Sequence, residues 1–373
     1  MAEDAAQDAC ALALEKWPAE GMPDNPKAWL AGVARHKALD RLRRESRRAE
    51  KEMTAVTLEP PPGSAETDVD ELALIFMCCH PALDPAARVA LTLRCVCRLD
   101  LRDIAAAFLI PEPTVAQRIV RAKRKIRQAG IRYRVPSGDE LAERLAVVLR
   151  VIYLVFTQGH MANSGQELVR GELCDQAIGL ALTLVSLLPG EPEAAGLLAL
   201  LLLTDARRAA RTGHAGELVP LRDQDRSKWD RAKVADGERL LEHALRVGRP
   251  GPYQLHAAIA ACHSCAATAE ETDWRQIAAL YTELARYEPT GVTEANRAVA
   301  VAMAEGPDAG LAILDALDGD LRLRNWPQLH IARAELLARV GRRAEASGAY
   351  RTALRLALPK PEQAYIERRL QEL

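Results

Sequence analysis

The hydrophobic positions between residues 101 and 127 follow the period of two consecutive helices. The first stretch, LRDIAAAFLI, is short and apolar, and Pro111 and Pro113 follow it. Proline fixes φ and lacks an amide donor, so it ends one helix and suits the first turn of the next. Beyond the prolines, four apolar residues recur at helical spacing: Val115, Ile119, Ala122 and Ile126. The pattern predicts two helices joined by a proline-bounded turn, with these four residues packed inward.

The opposite face of the second helix is basic. Packing of the apolar stripe turns a polar set outward: Thr114, Gln117, Arg118, Arg121 and Lys125. Between Pro111 and Arg134 eight lysines and arginines accompany a single acid, Glu112. Such local charge favours phosphate contact, so the segment predicts a helix-turn-helix whose second helix enters the major groove of DNA. The alternative interpretation is a solvated basic helix face.

From Asp139 onward, apolar helical runs alternate with turn signals. Glycine and proline interrupt the chain at Pro189-Gly190, Gly248 to Gly251, Pro289 to Gly291, Gly306-Pro307 and Gly341. Gly306 and Gly341 stand 35 positions apart, close to the tetratricopeptide period of about 34 residues. Ala346, Tyr350 and Ala353 supply the small and aromatic residues that close packing of such repeats requires. The pattern predicts a helical solenoid that binds a peptide, a protein or another part of the chain. The alternative is a passive stabilising domain.

Composition favours closely packed helices over a sheet, which predicts an all-α fold. The chain has 373 residues, of which 49% are hydrophobic but only 4% aromatic, so several cores must be built from Leu, Ala and Val. The proline-rich stretch 58–68, LEPPPGSAETD, is typical of a linker, and a second boundary is expected at 135–139.

The run GLLALLLL is much shorter than the roughly 20 residues needed to span a bilayer, and no signal peptide is visible. We therefore expect a cytoplasmic protein without membrane contact.

The net charge of −1 neither favours nor excludes binding to nucleic acid, but the distribution of charged residues along the chain is informative. Bases cluster locally between Arg35 and Arg48 and between Arg118 and Arg134. Because salt screens charges beyond about 8 Å, local density matters more than the total. Two separate basic modules are therefore predicted.

The eight cysteines lie mostly in apolar helical stretches, where reduced cysteine behaves as a small hydrophobe. His256, Cys262 and Cys265 form the one set with zinc-like spacing. A tetrahedral site needs a fourth ligand that the local sequence does not supply. We therefore predict buried core residues and no metal or cofactor, with zinc binding or redox sensing as the alternative.

Further motifs carry a family resemblance. Upstream stand AEDAAQDACALALEKW and NPKAWLAGVARHKALDRLRRESRR, and DVDELALIFMCCHPALDPAARVALTLRCVCRLDL precedes the helix-turn-helix. In this order the blocks resemble regions 2 and 4 of the bacterial extracytoplasmic-function sigma factors. Six segments further along the chain look like the extension of the subgroup with a tetratricopeptide-like C-terminal domain. They are IYLVFTQGH, LCDQAIGLA, DARRAAR, DQDRSKWDR, GPYQLHAAIAACH and NRAVAVAMAEGP.

The resemblance implies an all-α chain with partial sigma region 2 at 1–57, a linker at 58–68, a four-helix region 4 with the helix-turn-helix at 69–135, and the helical extension at 139–373. It also implies two partners, core RNA polymerase and promoter DNA. No nucleophile elbow, phosphate loop or second carboxylate cluster accompanies these blocks. An enzyme is therefore not expected.

The resemblance also assigns roles to particular residues. It implies that the outward residues of the second helix contact the minus-thirty-five element; these are Thr114, Gln117, Arg118, Arg121 and Lys125. Contact with the minus-ten element falls to the loop 17–25 and to Asn25, Trp29, Arg35, His36, Lys37 and Arg41, although Trp29 also suits a plain core position. Polymerase docking falls to Glu3, Asp4, Gln7 and Asp8, which the helix dipole would also favour at a helix start.

Two features are unusual. The acids Asp223, Asp225 and Asp230 of DQDRSKWD surround a tryptophan, and we expect them to pair with the basic sigma modules and so regulate them within the chain. Family members carry a further helix ahead of the AEDAAQDA segment, and here Met1 stands directly before it. We expect upstream coding sequence to supply that helix. Otherwise part of region 2 is lost, and polymerase binding is in doubt.

Three functions remain open at this level. The first is a sigma factor that directs core polymerase to promoters and is controlled by its own extension. The second is a polymerase-independent helix-turn-helix regulator with a sensing solenoid. The third is an interaction scaffold with a vestigial sigma part. Two basic modules flanking a linker favour the first.

Overall fold

The computed structural model describes residues 73–96, 99–108, 110–136, 138–160, 171–213, 217–356 and 358–373, with isolated positions at Ala13, Pro23, Pro26 and Val33. These residues form helices and turns, with one isolated bridge between Thr212 and Leu218. The all-α class predicted from composition is confirmed.

The helices have the following bounds. After helical residues 73–78 come α1 (Pro85–Cys95), α2 (Leu101–Phe108), α3 (Glu112–Gln128) and α4 (Asp139–His160). The extension continues with α5 (Gly171–Leu187), α6 (Pro192–Asp205), α7 (Arg231–Arg246), α8 (Pro252–Ser264), α9 (Trp274–Tyr287), α10 (Gly291–Glu305), α11 (Pro307–Ala316), α12 (Pro327–Arg339), α13 (Arg343–Leu354) and α14 (Lys360–Glu372). The two helices expected ahead of the helix-turn-helix are thus present.

The chain forms two compact units, and the first comprises residues 1–92 and 119–145. A small core in this unit is built around buried Ala73 and Tyr133. Arg144, whose side chain is 5% exposed, pairs with Glu140 and donates to the backbone oxygen of Phe76. A buried guanidinium needs such partners, so the start of α4 is integral to this unit.

The second unit comprises residues 93–118 and 146–373. From α5 to α14 each helix packs on the next in the chain, an arrangement typical of helical repeats. α6 is buried on almost every side, because its sequence is apolar all round. Among the described residues, no helix is long and apolar enough to cross a membrane.

The predicted turns lie where the glycines and prolines indicated. Gly306 and Gly341 adopt φ values of 118° and 78° between helices, a conformation that glycine enters without steric cost. Gly310 serves a different purpose, because a Cβ there would lie 2.5 Å from the Cβ of Ala302 and 2.6 Å from the oxygen of Ala298. Helices α10 and α11 therefore approach each other too closely for any side chain at that position.

The three residues singled out in the last repeat are core residues. Ala346, Tyr350 and Ala353 are each 0% exposed. The hydroxyl of Tyr350 donates to Glu335 of α12 over 2.5 Å. Close packing of α13 on α12 therefore uses the small and aromatic positions as predicted.

The prediction for the zinc-spaced cysteines was wrong in one respect. Cys262 is half-buried and packs against the core cluster that contains Leu255 and Ile277, whereas Cys265 is exposed at the C-terminal end of α8 and is not a core residue. Each thiol contacts a polar side chain, Gln276 and Glu238 respectively. Partial burial and the Glu238 carboxylate raise the pKa of Cys265 to about 12, which disfavours the thiolate needed for redox chemistry.

Candidate nucleic-acid interface

A tight turn joins α2 to α3. The amide of Ile110 donates to the oxygen of Ala105, and the amides of Thr114 and Val115 donate to Pro111. Pro113 sits inside the first turn of α3, where its missing amide leaves no helical bond unmade. The prolines thus end one helix and start the next, as expected from the sequence.

The apolar stripe of α3 holds the helix in place. Val115, Ile119 and Ala122 are 0%, 5% and 4% exposed, while Ile126 is half-buried near the end of the helix. Burial at this spacing fixes the rotation of α3 about its axis. The polar residues between these positions therefore lie on the outer face of the helix or at its edges.

The exposed residues of α3 differ in part from the outward set that was predicted from the sequence. Gln117, Arg121 and Lys125 are exposed, whereas Thr114 and Arg118 are half-buried on its edge. Two residues that sequence reasoning omitted also belong to this face. They are Arg124, which is exposed, and Val120, which is 65% exposed. Their spacing of three and seven residues from Gln117 would have indicated them.

The bases of α3 are free of acidic partners among the described residues. Ion pairs in this part of the chain form at its margins, between Arg94 and Asp100 and between Arg134 and Glu140. The guanidinium and ammonium groups of Arg118, Arg121, Lys123, Arg124, Lys125 and Arg127 have no carboxylate within ion-pair distance in the described parts of the chain. A mostly exposed basic helix with no acidic partner among the described residues is suited to a polyanion.

The residues expected to contact the minus-ten element and polymerase lie outside the described residues. These are Asn25, Trp29, Arg35, His36, Lys37 and Arg41, and Glu3, Asp4, Gln7 and Asp8. Their roles stay predictions.

The extension contains a second concentration of functional groups, which we call the buried polar centre: His160, Cys174, Asp205, Arg208 and Arg211. The side chain of Asp205 is fully buried, yet it accepts from Arg208 over 2.7 Å and from Lys233 over 2.6 Å. Arg208 also binds Asp175. The Nη1 atom of Arg211 contacts Nε2 of His160, whose ring stacks on Phe156 at 5.3 Å.

Possible ligand atoms of His160, Cys174 and Asp205 lie within 4.8 Å of one another, which raises the question of a metal. The charges nearby argue against a cation there. Asp205 is already neutralised by Arg208 and Lys233, and a metal-bound histidine normally donates its other nitrogen to an acceptor, whereas His160 faces Arg211. Burial and the neighbouring arginines lower the pKa of His160 to about 2. The centre is therefore better explained as an ion network that holds α4, α5 and α6 together.

The acids of DQDRSKWD have local partners. Asp230 accepts from the amides of Ala232 and Lys233 and caps α7, and Asp225 accepts from Ser227. The carboxylate of Asp223 lies 3.6 Å from Arg222. Trp229 is 3% exposed and lies under the guanidinium of Arg226 at 4.5 Å. The tryptophan is thus a core residue, and two of the three acids have a capping role that explains their presence.

Comparison with known families now identifies the basic helix. Residues 73–126, which contain α1, α2 and most of α3, match sigma-70 region 4, and residues 1–48 match sigma-70 region 2. The chain belongs to the sigma-70 family. Residues 144–245 of this sigma factor match a family of unknown function, DUF6596. That match begins in α4, ends in α7 and contains the whole buried polar centre.

One relative of this sigma factor spans its full length. It is an uncharacterised protein of Rhizobium meliloti strain 1021, 42% identical over 391 residues that cover 100% of this chain and 90% of the relative. No solved structure matches the chain significantly. The sigma regions and the extension therefore also occur together in that relative.

Proposed function

We propose that this protein is an extracytoplasmic-function sigma factor that binds core RNA polymerase and directs it to particular promoters in the cytoplasm. The observation that supports this most strongly is the exposed basic face of α3, in a segment that matches sigma-70 region 4. A match to region 2 in the same chain favours polymerase-dependent action over an independent regulator. Nothing in this role requires catalysis by the sigma factor itself.

In this proposal α3 lies in the major groove of the minus-thirty-five element. Gln117 and Arg121 point outward and can donate to base edges, since arginine pairs with guanine and glutamine with adenine. Thr114, Arg118 and Lys125 flank them and suit phosphate contact. Asn25, Trp29, Arg35, His36, Lys37 and Arg41 would capture the minus-ten element, and Glu3, Asp4, Gln7 and Asp8 would dock on polymerase.

The decisive experiment combines co-purification with transcription. The full chain is mixed with core RNA polymerase, separated by size, and then used to transcribe genomic fragments in vitro. We expect a stable complex and initiation at a small set of promoters. DNA binding by the chain without any complex with core polymerase would overturn the sigma role and favour an independent regulator.

We also propose that the extension, a tetratricopeptide-like solenoid, controls the sigma regions within the chain. Residues 93–118, which contain α2 and the start of α3, belong to the same compact unit as residues 146–373. Residues 119–128 of α3 belong to the other unit, so loss of the extension would remove most of the unit that contains α2 and only the start of α3. Asp223 is the best placed of the three predicted regulatory acids, since Asp225 and Asp230 are engaged in capping.

Truncation tests this control, and the structure sets where to cut. A stop after Leu145 retains Arg144 and its bonds to Glu140 and Phe76, which a cut at the end of the basic run would remove. Constitutive transcription by the truncated chain would indicate inhibition by the extension, and loss of transcription would indicate that it is part of the active conformation. Unchanged promoter strength and regulation would contradict intramolecular control.

A further inference from the structure

A cavity of about 590 Å³ lies within the extension. Its walls come from segment 220–226, the end of α8, residues 269–274, and helices α10, α12 and α14. This volume falls in the range of roughly 300–1,000 Å³ that is typical of small-molecule sites. Promoter recognition does not require a cavity, so its purpose lies beyond the proposed function.

The floor of the cavity is apolar. Its side chains are Trp274, Val299, Met303, Ala332 and Leu336. Met303 is 40% exposed, although a methionine is normally buried. An adaptable thioether at the surface of an apolar cavity suits contact with a flexible hydrocarbon.

The charged groups of the cavity leave an excess of guanidinium. Three arginines, Arg222, Arg226 and Arg339, and two acids, Glu270 and Glu335, line the cavity, and Arg222 pairs with Glu335 over 3.7 Å. Glu335 is already engaged, because it accepts two hydrogen bonds from Arg369 over 3.0 and 3.1 Å and one each from Tyr350 and Tyr365. Although burial opposes it, these bonds lower the pKa of Glu335, so it stays ionised and neutralised.

The arginines of the cavity differ in whether their guanidinium groups are already engaged by other groups of the chain. Arg226 donates to the backbone oxygens of His263 and Ala266, each over 2.7 Å, so it holds the cavity wall. Arg339 touches the sulfur of Met303 and has no carboxylate within ion-pair distance among the described residues. It therefore presents a guanidinium beside the apolar floor.

We propose that this cavity binds a small amphipathic carboxylate. The hydrocarbon body lies on Met303 and Leu336, and the carboxylate receives paired hydrogen bonds from Arg339, since a guanidinium matches the two oxygens of a carboxylate. Apolar contact supplies the affinity and the single arginine supplies the selection for an anion.

The test uses the full chain and decanoate below its micellar concentration. Decanoate competes with the fluorescent anion 8-anilinonaphthalene-1-sulfonate, and decanol serves as the neutral analogue of the same length. We expect one site per chain, with decanoate displacing the probe at a concentration at least tenfold lower than decanol. Absence of a stoichiometric site, or equal displacement by decanol, would overturn the proposal.

Three variants locate the site. Met303→Trp fills the apolar floor and should abolish displacement by both compounds. After correction for the affinity of the anionic probe for each variant, Arg339→Gln should weaken decanoate about tenfold and leave decanol unchanged, which a mere loss of folding would not do. Arg351→Gln, at an exposed position of α13 outside the cavity lining, is the matched control and should change neither. If neither cavity variant changes the binding of decanoate, the probe binds outside this cavity and the assignment is refuted.

Discussion

The basic face of α3 and the cavity of the extension differ in how many of their arginines are already engaged by other groups of the chain. On α3 every base except the half-buried Arg118 is exposed, and none has an acidic partner among the described residues, so their charge is available to any phosphate chain that approaches. Around the cavity Glu335 is enclosed by Arg369 and two tyrosines, Arg226 is tied to backbone oxygens, and Arg339 is the one lining arginine without a carboxylate or backbone partner among the described residues. Unpaired surface charge therefore provides long-range attraction, whereas paired and buried charge mainly specifies a shape.

The prediction with the largest expected effect changes only the helix packing of the extension. Gly310→Val places a side chain against Ala302 and the Ala298 oxygen, and we expect the extension to lose about 3 kcal/mol of unfolding free energy, because overpacking forces backbone shifts. Urea unfolding followed by circular dichroism measures the loss. Gly319→Ala is the control, since nothing lies within 4 Å of its added Cβ. Equal stability of the two variants would show that α10 and α11 separate easily.

The second test concerns the charge on α3. Arg121→Ala should cost about 1–3 kcal/mol in binding to the preferred promoter and relax selection at one base pair, if Arg121 contacts a guanine. Binding to a library of minus-thirty-five sequences at two salt concentrations measures both effects. Lys123→Ala is the comparison within the same helix. A uniform loss of affinity across all sequences would reduce Arg121 to a phosphate contact.

The third test uses pH to probe the buried polar centre. His160 stays neutral in the folded chain because its pKa is lowered to about 2, whereas an exposed histidine titrates near 6.5. Its contribution to stability is therefore complete well above pH 6.5 and is lost as the pH falls through that value, by about 1 kcal/mol at pH 5.5. His263, with a pKa lowered to about 4 by burial and nearby arginines, acts in the same direction.

Replacement of His160 separates its contribution from that of other groups. The unfolding free energy of His160→Asn should fall less between pH 7 and 5.5 than that of the native chain, whatever its stability at pH 7. His243→Asn, at an exposed position of α7, should keep the native slope. Identical slopes for all three proteins would mean that His160 is accessible to protons in the folded state.

The smallest expected effect concerns Val120. Its side chain is 65% exposed on the outward face of α3, where an apolar group can contact a thymine methyl. Val120→Ala should therefore reduce affinity for a promoter with thymine at the contacted position by under about 1 kcal/mol, and leave other promoters unchanged. Promoter titrations with thymine or uracil at each position test this, because uracil lacks the methyl group.

Sequence reasoning succeeded where the period of one helix carries the information. The inward stripe of α3, the proline turn before it and the turn glycines Gly306 and Gly341 were all predicted, because each depends on neighbours within a few residues. It was less accurate at helix edges, where Arg118 proved half-buried and Val120 was overlooked. It was wrong about Cys265, since an alanine-rich apolar run does not reveal which end of a helix reaches the surface.

The sequence by itself determined the helical class, the basic face of α3 and the resemblance to sigma regions 2 and 4, because periodicity and motif order are properties of the linear chain. Only the tertiary structure brought His160, Cys174 and Asp205 together and opened a cavity beside Arg339. Those features join residues that are far apart in the chain. Their distances depend on how successive helices pack, and packing depends on side-chain shapes that no local pattern records.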